Sequence, residues 1–163
     1  MHTEFEQLIK GLCALTRYAE PQQIIDGTGI TFEGVTFALI YKPKADPDAL
    51  FLYADFGQLD LEQQAALYPL MLQENLMMLG SRECTFSVSA RLDSVVVVEK
   101  IRLSAQTPES LLALLRSLAH RAHYFSKHYR SGSIGTRPRM ARAETLRAGT
   151  PKSDRIGHHA SPN

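Results

Sequence analysis

Three histidines near the end of the last predicted helix are the first side chains in this sequence that could do chemistry. In the stretch HRAHYFSKH, His120 and His123 lie one helical turn apart, a spacing at which two imidazoles can hold one metal ion. His128 follows eight residues after His120, roughly 12 Å along a helix axis. No carboxylate lies close by in the sequence to complete a ligand set. A position near a helix C-terminus, where imidazoles are favoured, explains these histidines without a metal ion.

Asp55 and Cys84 are two further side chains that chemistry could use. Asp55 is the acidic residue of the apolar run LFLYADFG, where a buried carboxylate could serve as a general base. A strand-end carboxylate that faces solvent explains it more simply. Cys84 follows Arg82 closely, and a neighbouring cation lowers the pKa of a thiol, but nothing near it in the sequence supplies a base. We therefore expect a structural aspartate and a small half-buried cysteine.

Familiar catalytic motifs are absent from the sequence. The glycines of DGTGITFEG precede a predicted strand rather than a helix N-terminus, so they do not form a phosphate cradle. Neither GxSxG nor HExxH occurs. The sequence therefore predicts no catalytic residue, no metal and no other cofactor. An enzyme that uses His120, His123 or Asp55 is kept as a competing hypothesis.

The sequence also carries no feature that predicts export or membrane insertion. Its N-terminal stretch, MHTEFEQLIKGLC, has early acidic residues and no basic start, which is unlike a secretory signal. No run of 18 apolar residues is present. Cys13 and Cys84 lack CxxC spacing, so they make no zinc site. We expect a cytoplasmic protein with two free thiols rather than a disulfide.

Charge divides the chain at Arg130. Residues 1–130 contain 12 basic and 15 acidic residues, a net charge of −3, whereas residues 131–163 contain six basic and two acidic residues, a net charge of +4. The mildly acidic first part is unlike a nucleic-acid-binding domain. The tail is rich in Gly, Ser, Thr, Pro and Arg, and we predict that it is disordered. Contact of its RPRMARAETLR stretch with nucleic acid or an anionic membrane is the alternative.

The predicted elements begin with a helix near residues 3–18. Thr3 and Glu6 have the spacing of a capping box, and Pro21 marks the helix end. β-branched and aromatic residues then predict two strands in ITFEGVTFALIYKP and one in LFLYADFG, which Gly57 ends. Two more strands are predicted in ECTFSVSAR, which alternates strictly, and in VVVVEKIRLS.

Two further helices complete the prediction. Asp60 with Gln63 starts one that runs to about Leu79, and Thr107 with Pro108 starts the last one, which runs to about residue 129. The resulting order is α-β-β-β-α-β-β-α. It predicts an α+β fold in which a mostly antiparallel, twisted sheet of about five strands packs with three helices.

The central helix is apolar on nearly every side. Its stretch LYPLMLQENLMMLG has no polar face of the kind that a surface helix presents to water. Pro69 removes a backbone hydrogen bond and is expected to kink the helix or divide it in two. Burial of a Leu or Met side chain contributes about 1.5–3 kcal/mol to the stability of a folded domain. If several of these side chains faced water, the lost burial would be comparable to the whole free energy of unfolding of a typical domain. We predict a homodimer in which a second copy covers this helix. A helix enclosed by its own chain is the alternative.

Several stretches resemble the class I type III secretion chaperones, the Tir-chaperone family. The similarity covers about residues 3–130, and it lies in FEQLIKGLCAL, LFLYADFGQL, LYPLMLQENLMM and SLLALLRSLAHRAHYFSKHY. Leu72 and Asn75 fall where the family has its leucine-leucine-x-x-asparagine signature. The sequence departs from the family pattern at Pro69 and in its basic tail.

The resemblance implies a non-enzymatic bacterial cytoplasmic homodimer that binds the N-terminal segment of a secreted effector. Such a chaperone keeps this segment extended and soluble and aids its delivery to the secretion apparatus and its ATPase. The residues that it implies for the dimer interface are Leu70, Met71, Glu74, Met77 and Met78. The residues that it implies for effector binding are Leu8, Leu12, Leu15, Phe37, Leu39, Phe51 and Tyr53. A small regulatory interaction domain whose basic tail contacts nucleic acid or a signalling partner is the alternative function.

Overall fold

A computed structural model describes residues 2–78 and 84–130 of the 163-residue chain. The elements in chain order are α1 (His2–Thr16), α2 (Pro21–Ile25), β1 (Ile30–Phe32), β2 (Val35–Tyr41), β3 (Ala49–Gly57), α3 (Leu61–Met78), β4 (Cys84–Ser89), β5 (Ser94–Arg102) and α4 (Pro108–Phe125). A 3₁₀ turn (Leu103–Ala105) precedes α4, and a π-helical turn (Ser126–Arg130) follows it. The predicted tail, residues 131–163, and the predicted helix stop at Gly80 lie outside the described residues.

The five strands form one antiparallel sheet in the order β1-β2-β3-β5-β4. This arrangement confirms the predicted α+β fold with its five-stranded antiparallel sheet, and the predicted elements occur in the predicted order with one additional helix. The short helix α2 was not predicted, because Pro21 was interpreted as the end of α1. Pro21 instead occupies the first turn of α2, where its missing N–H has no helical partner to lose.

One face of the sheet forms the core with α1 and α4. Alternate residues of the strands point to this face, and the apolar stripes of the two helices pack on it. Gly11 allows the close approach of these helices, since a Cβ at that position would lie 2.4 Å from Cγ of Pro108. Fully buried members of this core include Phe5, Ile9, Leu12, Phe37, Leu39, Leu50, Leu52, Leu111 and Leu115.

Side chains cap the later helices as the sequence predicts. At the start of α3, Gln63 N donates to Asp60 Oδ1 at 2.8 Å, and Asp60 N donates to Gln63 Oε1 at 3.0 Å. Thr107 and Ser110 form the equivalent reciprocal pair at the start of α4. Helix α3 continues as one element through Pro69, so the proline does not divide it. Among the described residues, no helix has the length and apolar character needed to cross a membrane.

Asp48 ties the loop before β3 to the end of β5. Its carboxylate accepts hydrogen bonds from Ser104 N at 2.7 Å, from Ser104 Oγ at 3.0 Å and from Arg102 Nε at 3.2 Å. Its backbone oxygen also accepts from Leu103 N at 2.7 Å. The hydrogen bonds from Ser104, followed by those from Arg102, lower the pKa of Asp48 below its ordinary value.

Asp48→Asn is expected to lower the melting temperature at neutral pH, because the amide is a weaker acceptor for these donors. A lowered pKa in the folded chain contributes stability above the unfolded value of about 3.9, and this stability is lost as pH falls through the folded value. The difference between wild type and variant should therefore shrink as the solution is acidified. Thermal unfolding at neutral and at acidic pH, monitored by circular dichroism, measures this difference in melting temperature. Asp26→Asn, at an exposed carboxylate bonded only to Gln22 among the described hydrogen bonds, is the control. An equal pH dependence for both variants would contradict the assignment.

Candidate functional site

Helix α3 carries a row of exposed side chains on the side that faces away from the sheet. We call this row the α3 stripe: Leu61, Ala65, Pro69, Leu72 and Leu76. Leu72 and Leu76 keep 70% and 68% of their surface exposed. The spacing of four, four, three and four residues places the row along one side of the helix. Within residues 2–78 and 84–130, an apolar strip of α3 remains on the surface, so the described part of the chain does not enclose this helix.

The predicted dimer residues fall on different sides of α3. Met77 is 77% exposed and Glu74 is also exposed, so both are accessible to a partner. Leu70 is half-buried, whereas Met71 is buried in the core of its own chain. The side chain of Met78 lies outside the described residues. A partner could therefore reach Met77, Glu74 or the α3 stripe while the core stays packed, but it could not reach Met71.

The second candidate surface is the face of the sheet opposite the core. Its half-buried members are Ala38, Ile40, Phe51, Tyr53 and Val98, and we call this set the outer sheet face. The register pairs Ile40 with Phe51 and Ala38 with Tyr53, and Tyr53 lies opposite Val98 on its other side. Directly paired residues of antiparallel strands point to the same face. These apolar side chains are therefore contiguous across three strands.

The predicted effector-binding residues divide between this face and the core. Phe51 and Tyr53 lie on the outer sheet face, and Leu15 near the end of α1 is 45% exposed. Leu8, Leu12, Phe37 and Leu39 are buried between α1, α4 and the sheet. The pairing of Leu39 with Leu52, and of Ile40 with Phe51, places Phe51 on the face opposite Leu39. Only the exposed residues of this set can touch a partner while the core stays packed.

Asp55, His123 and His128, three of the side chains considered for chemistry, have partners within the fold, whereas His120 is exposed on α4. Asp55 Oδ1 accepts from Gly57 N at 2.8 Å, at an irregularity in the pairing of β3 with β5. His123 Nε2 lies 2.8 Å from the backbone oxygen of Glu33, and the rings of Tyr124 and His128 are 4.1 Å apart. Within residues 2–78 and 84–130, no cluster of three His, Cys, Asp or Glu side chains could hold a metal ion.

Both cysteines are buried free thiols, and Cys84 is therefore more buried than the half-buried position expected from the sequence. Burial raises the pKa of Cys13, which disfavours the thiolate form. Cys84 Sγ lies 3.5 Å from Nη1 of Arg121 rather than beside a base. Among the hydrogen bonds of the described residues, neither thiol is paired with a base of the kind that activates a catalytic nucleophile.

Asn75, the signature position, contacts β4 rather than solvent. Its Nδ2 donates to Phe86 O at 2.9 Å, and Phe86 N donates to its Oδ1 at 2.7 Å. The sequence indicated that Asn75 matches a family motif, but it could not indicate this partner. The two residues are brought together only when α3 lies along the edge of the sheet.

The described residues combine an antiparallel α+β fold with apolar side chains on two surfaces, the α3 stripe and the outer sheet face. A family model for the Tir chaperone protein (CesT) family matches residues 28–126. The chain belongs to this family. A search of curated proteins gave no significant match.

Two solved structures share the fold. One is described as the crystal structure of the ExsC–ExsE complex; it has a TM-score of 0.65 and 16% sequence identity, and the alignment covers 79% of this chain and 96% of that chain. The other is the Yersinia pestis type III secretion chaperone SycH in complex with a stable fragment of YscM2. It has a TM-score of 0.56 and 16% identity, and the alignment covers 74% of this chain and 98% of that chain.

The different burial of Leu12 and Leu15 gives a direct test of their positions. Leu12→Ala is expected to lower the free energy of unfolding by about 2–5 kcal/mol, because it opens a cavity in the core. Leu15→Ala, on the exposed part of the same helix, should change it by no more than about 0.5 kcal/mol. Urea denaturation of both variants measures the difference. Similar losses for the two would contradict the burial described here.

Proposed function

We propose that this chain is a type III secretion chaperone that binds the N-terminal segment of a secreted effector in the bacterial cytoplasm. It keeps that segment extended and soluble and aids its delivery to the secretion apparatus. The observation that carries this proposal is the presence of two apolar surfaces, the exposed α3 stripe and the half-buried outer sheet face, on a member of the Tir chaperone family. Binding surfaces of this kind suit a protein that associates with itself and with an unfolded client.

The outer sheet face is the surface that we assign to the effector. An extended client segment presents alternate side chains to a sheet, and the spaces around Phe51 and Tyr53 can accept them. Leu15 at the end of α1 extends the exposed apolar surface of the chain. In this proposal Leu8, Leu12, Phe37 and Leu39 act indirectly, because they hold α1 and the sheet together beneath the contact surface. An unfolded client loses entropy on binding, so a broad surface is needed for useful affinity.

The α3 stripe is the surface that we assign to a second copy of the chain. Apolar residues separated by four and three positions form the seam along which two helices pack. If a second copy fully buries Leu61, Leu72 and Leu76, each side chain contributes about 1.5–3 kcal/mol of favourable burial free energy to association. Met77 and Glu74 are also exposed but lie on other sides of the helix, so they are outside the centre of this contact. The exposure of this stripe in a single chain supports a homodimer.

Residues 131–163 are not needed for either surface in this proposal. All members of the α3 stripe and of the outer sheet face lie within residues 1–130. The basic tail remains available for a separate contact, such as one with the secretion ATPase. Its removal should therefore leave effector binding and self-association intact.

Leu76→Glu is expected to convert the dimer into a monomer. The substitution places a carboxylate within the α3 stripe, where its desolvation opposes association. Multi-angle light scattering at several protein concentrations measures the mass. Gln7→Glu, an exposed change of equal charge on α1, is the control and should leave the mass unchanged. A dimeric Leu76→Glu protein would remove the α3 stripe as the interface.

Phe51→Glu is expected to weaken effector capture by about tenfold or more, corresponding to about 1.4 kcal/mol of lost apolar contact. The N-terminal segment of a candidate secreted effector, co-expressed with this chain, serves as the client in a co-purification and titration assay, and the candidate is one that wild type captures. Ala113→Glu on the exposed side of α4 and a chain lacking residues 131–163 are the controls, and both should bind normally. Full binding by Phe51→Glu would place the effector site elsewhere. Loss of binding on tail removal would favour the regulatory alternative.

A further inference from the structure

The two edges of the sheet differ in length and therefore in their tendency to pair with another chain. Strand β1 at one edge has three residues, whereas β4 at the other edge has six. An edge strand presents unpaired N–H and C=O groups that can template pairing with a second molecule. A very short strand limits this pairing by itself, but a strand of six residues needs another device.

Asn75 supplies such a device at the middle of β4. Phe86 lies opposite Val97 of β5, yet its N–H and C=O both bond to the Asn75 side chain, at 2.7 and 2.9 Å. The two groups therefore point away from β5, toward the open edge. One side-chain amide offers an acceptor and a donor side by side, as the backbone of a neighbouring strand would. Asn75 thus occupies the hydrogen-bonding position that a strand from another molecule would take.

The same two bonds define the rotation of α3 about its axis. Asn75 faces the sheet together with Leu67 and Met71, which are buried in the core. Leu72 and Leu76, three residues before and one residue after Asn75, face outward. A bidentate bond constrains rotation more strictly than apolar contacts do, because hydrogen bonds weaken steeply with angle.

We propose that Asn75 is a positioning residue that directs how this chain associates with itself. It closes the β4 edge against pairing with β4 of a second copy, and it holds the α3 stripe outward. Without it, the freed edge of one chain pairs with the same edge of another, since antiparallel pairing of identical strands satisfies both. This inference goes beyond the proposed function because it requires no effector.

The test compares Asn75→Ala with wild type by hydrogen exchange and light scattering. We expect the Phe86 amide to exchange about tenfold faster or more, the factor that matches the loss of one ordinary hydrogen bond. We also expect species larger than those of wild type. Gln73→Ala, an exposed amide on the same helix, is the control and should behave as wild type. Wild-type exchange and wild-type mass in Asn75→Ala would overturn the proposal.

A second substitution identifies how the larger species form. Val88 lies on β4 and is 43% exposed, and a lysine on an edge strand opposes edge-to-edge pairing. The double variant Asn75→Ala, Val88→Lys should therefore recover the wild-type mass while Phe86 still exchanges rapidly. Larger species that persist in the double variant would show association by another route and would overturn the proposal.

Hydrogen exchange in the wild-type protein gives a further test, which does not depend on whether any variant folds. The amides of Phe86 and Val88 are two residues apart on β4, so both point toward the same open edge. Only Phe86 has the Asn75 acceptor among the described hydrogen bonds of that edge. Phe86 should therefore exchange more slowly than Val88. Equal or faster exchange at Phe86 would mean that Asn75 does not close the edge in solution.

Discussion

The packing of α1 and α4 on a single face of the sheet is the constraint on which the other features of this structure depend. These helices bury Phe37, Leu39, Leu50 and Leu52, and thereby form the core of the chain. The opposite face then keeps Phe51 and Tyr53 half-buried at the surface. Strand side chains alternate between the two faces. The same two strands, β2 and β3, therefore supply the packed residues of one face and the accessible residues of the other.

Helix α3 serves a different purpose from α1 and α4. It lies along the β4 edge, where Leu67 and Met71 anchor it in the core and Asn75 bonds to the strand backbone. Its opposite side, including Leu72 and Leu76, remains exposed. A helix that has one anchored side and one exposed apolar side joins the fold of the chain to its proposed self-association, so a change in its rotation would affect both.

Three polar side chains, Asp48, Asp55 and His123, contact the backbone. Asp48 closes the connection between β3 and the end of β5, Asp55 accepts from Gly57, and His123 contacts the backbone of Glu33. Each of these bonds satisfies a group in a turn or an irregular part of the sheet, where the regular ladder offers no partner. The charged groups thus shape the loops and leave recognition to apolar surfaces, which suits a member of the Tir chaperone family.

Local patterns in the sequence determined most elements of the fold, since capping boxes at Asp60 and Thr107 and the alternation of strand residues depend only on neighbouring positions. They did not reveal α2, because a proline that ends one helix and one that begins the next look alike. These local patterns also did not indicate which face of the sheet is buried against the helices. Phe37 and Phe51 have similar composition around them, but only strand register places the first in the core and the second outside. The tertiary structure alone decided that Asn75 meets Phe86 and that Leu72 rather than Met71 is exposed, because both depend on where α3 lies against β4, a long-range packing arrangement that no local periodicity specifies.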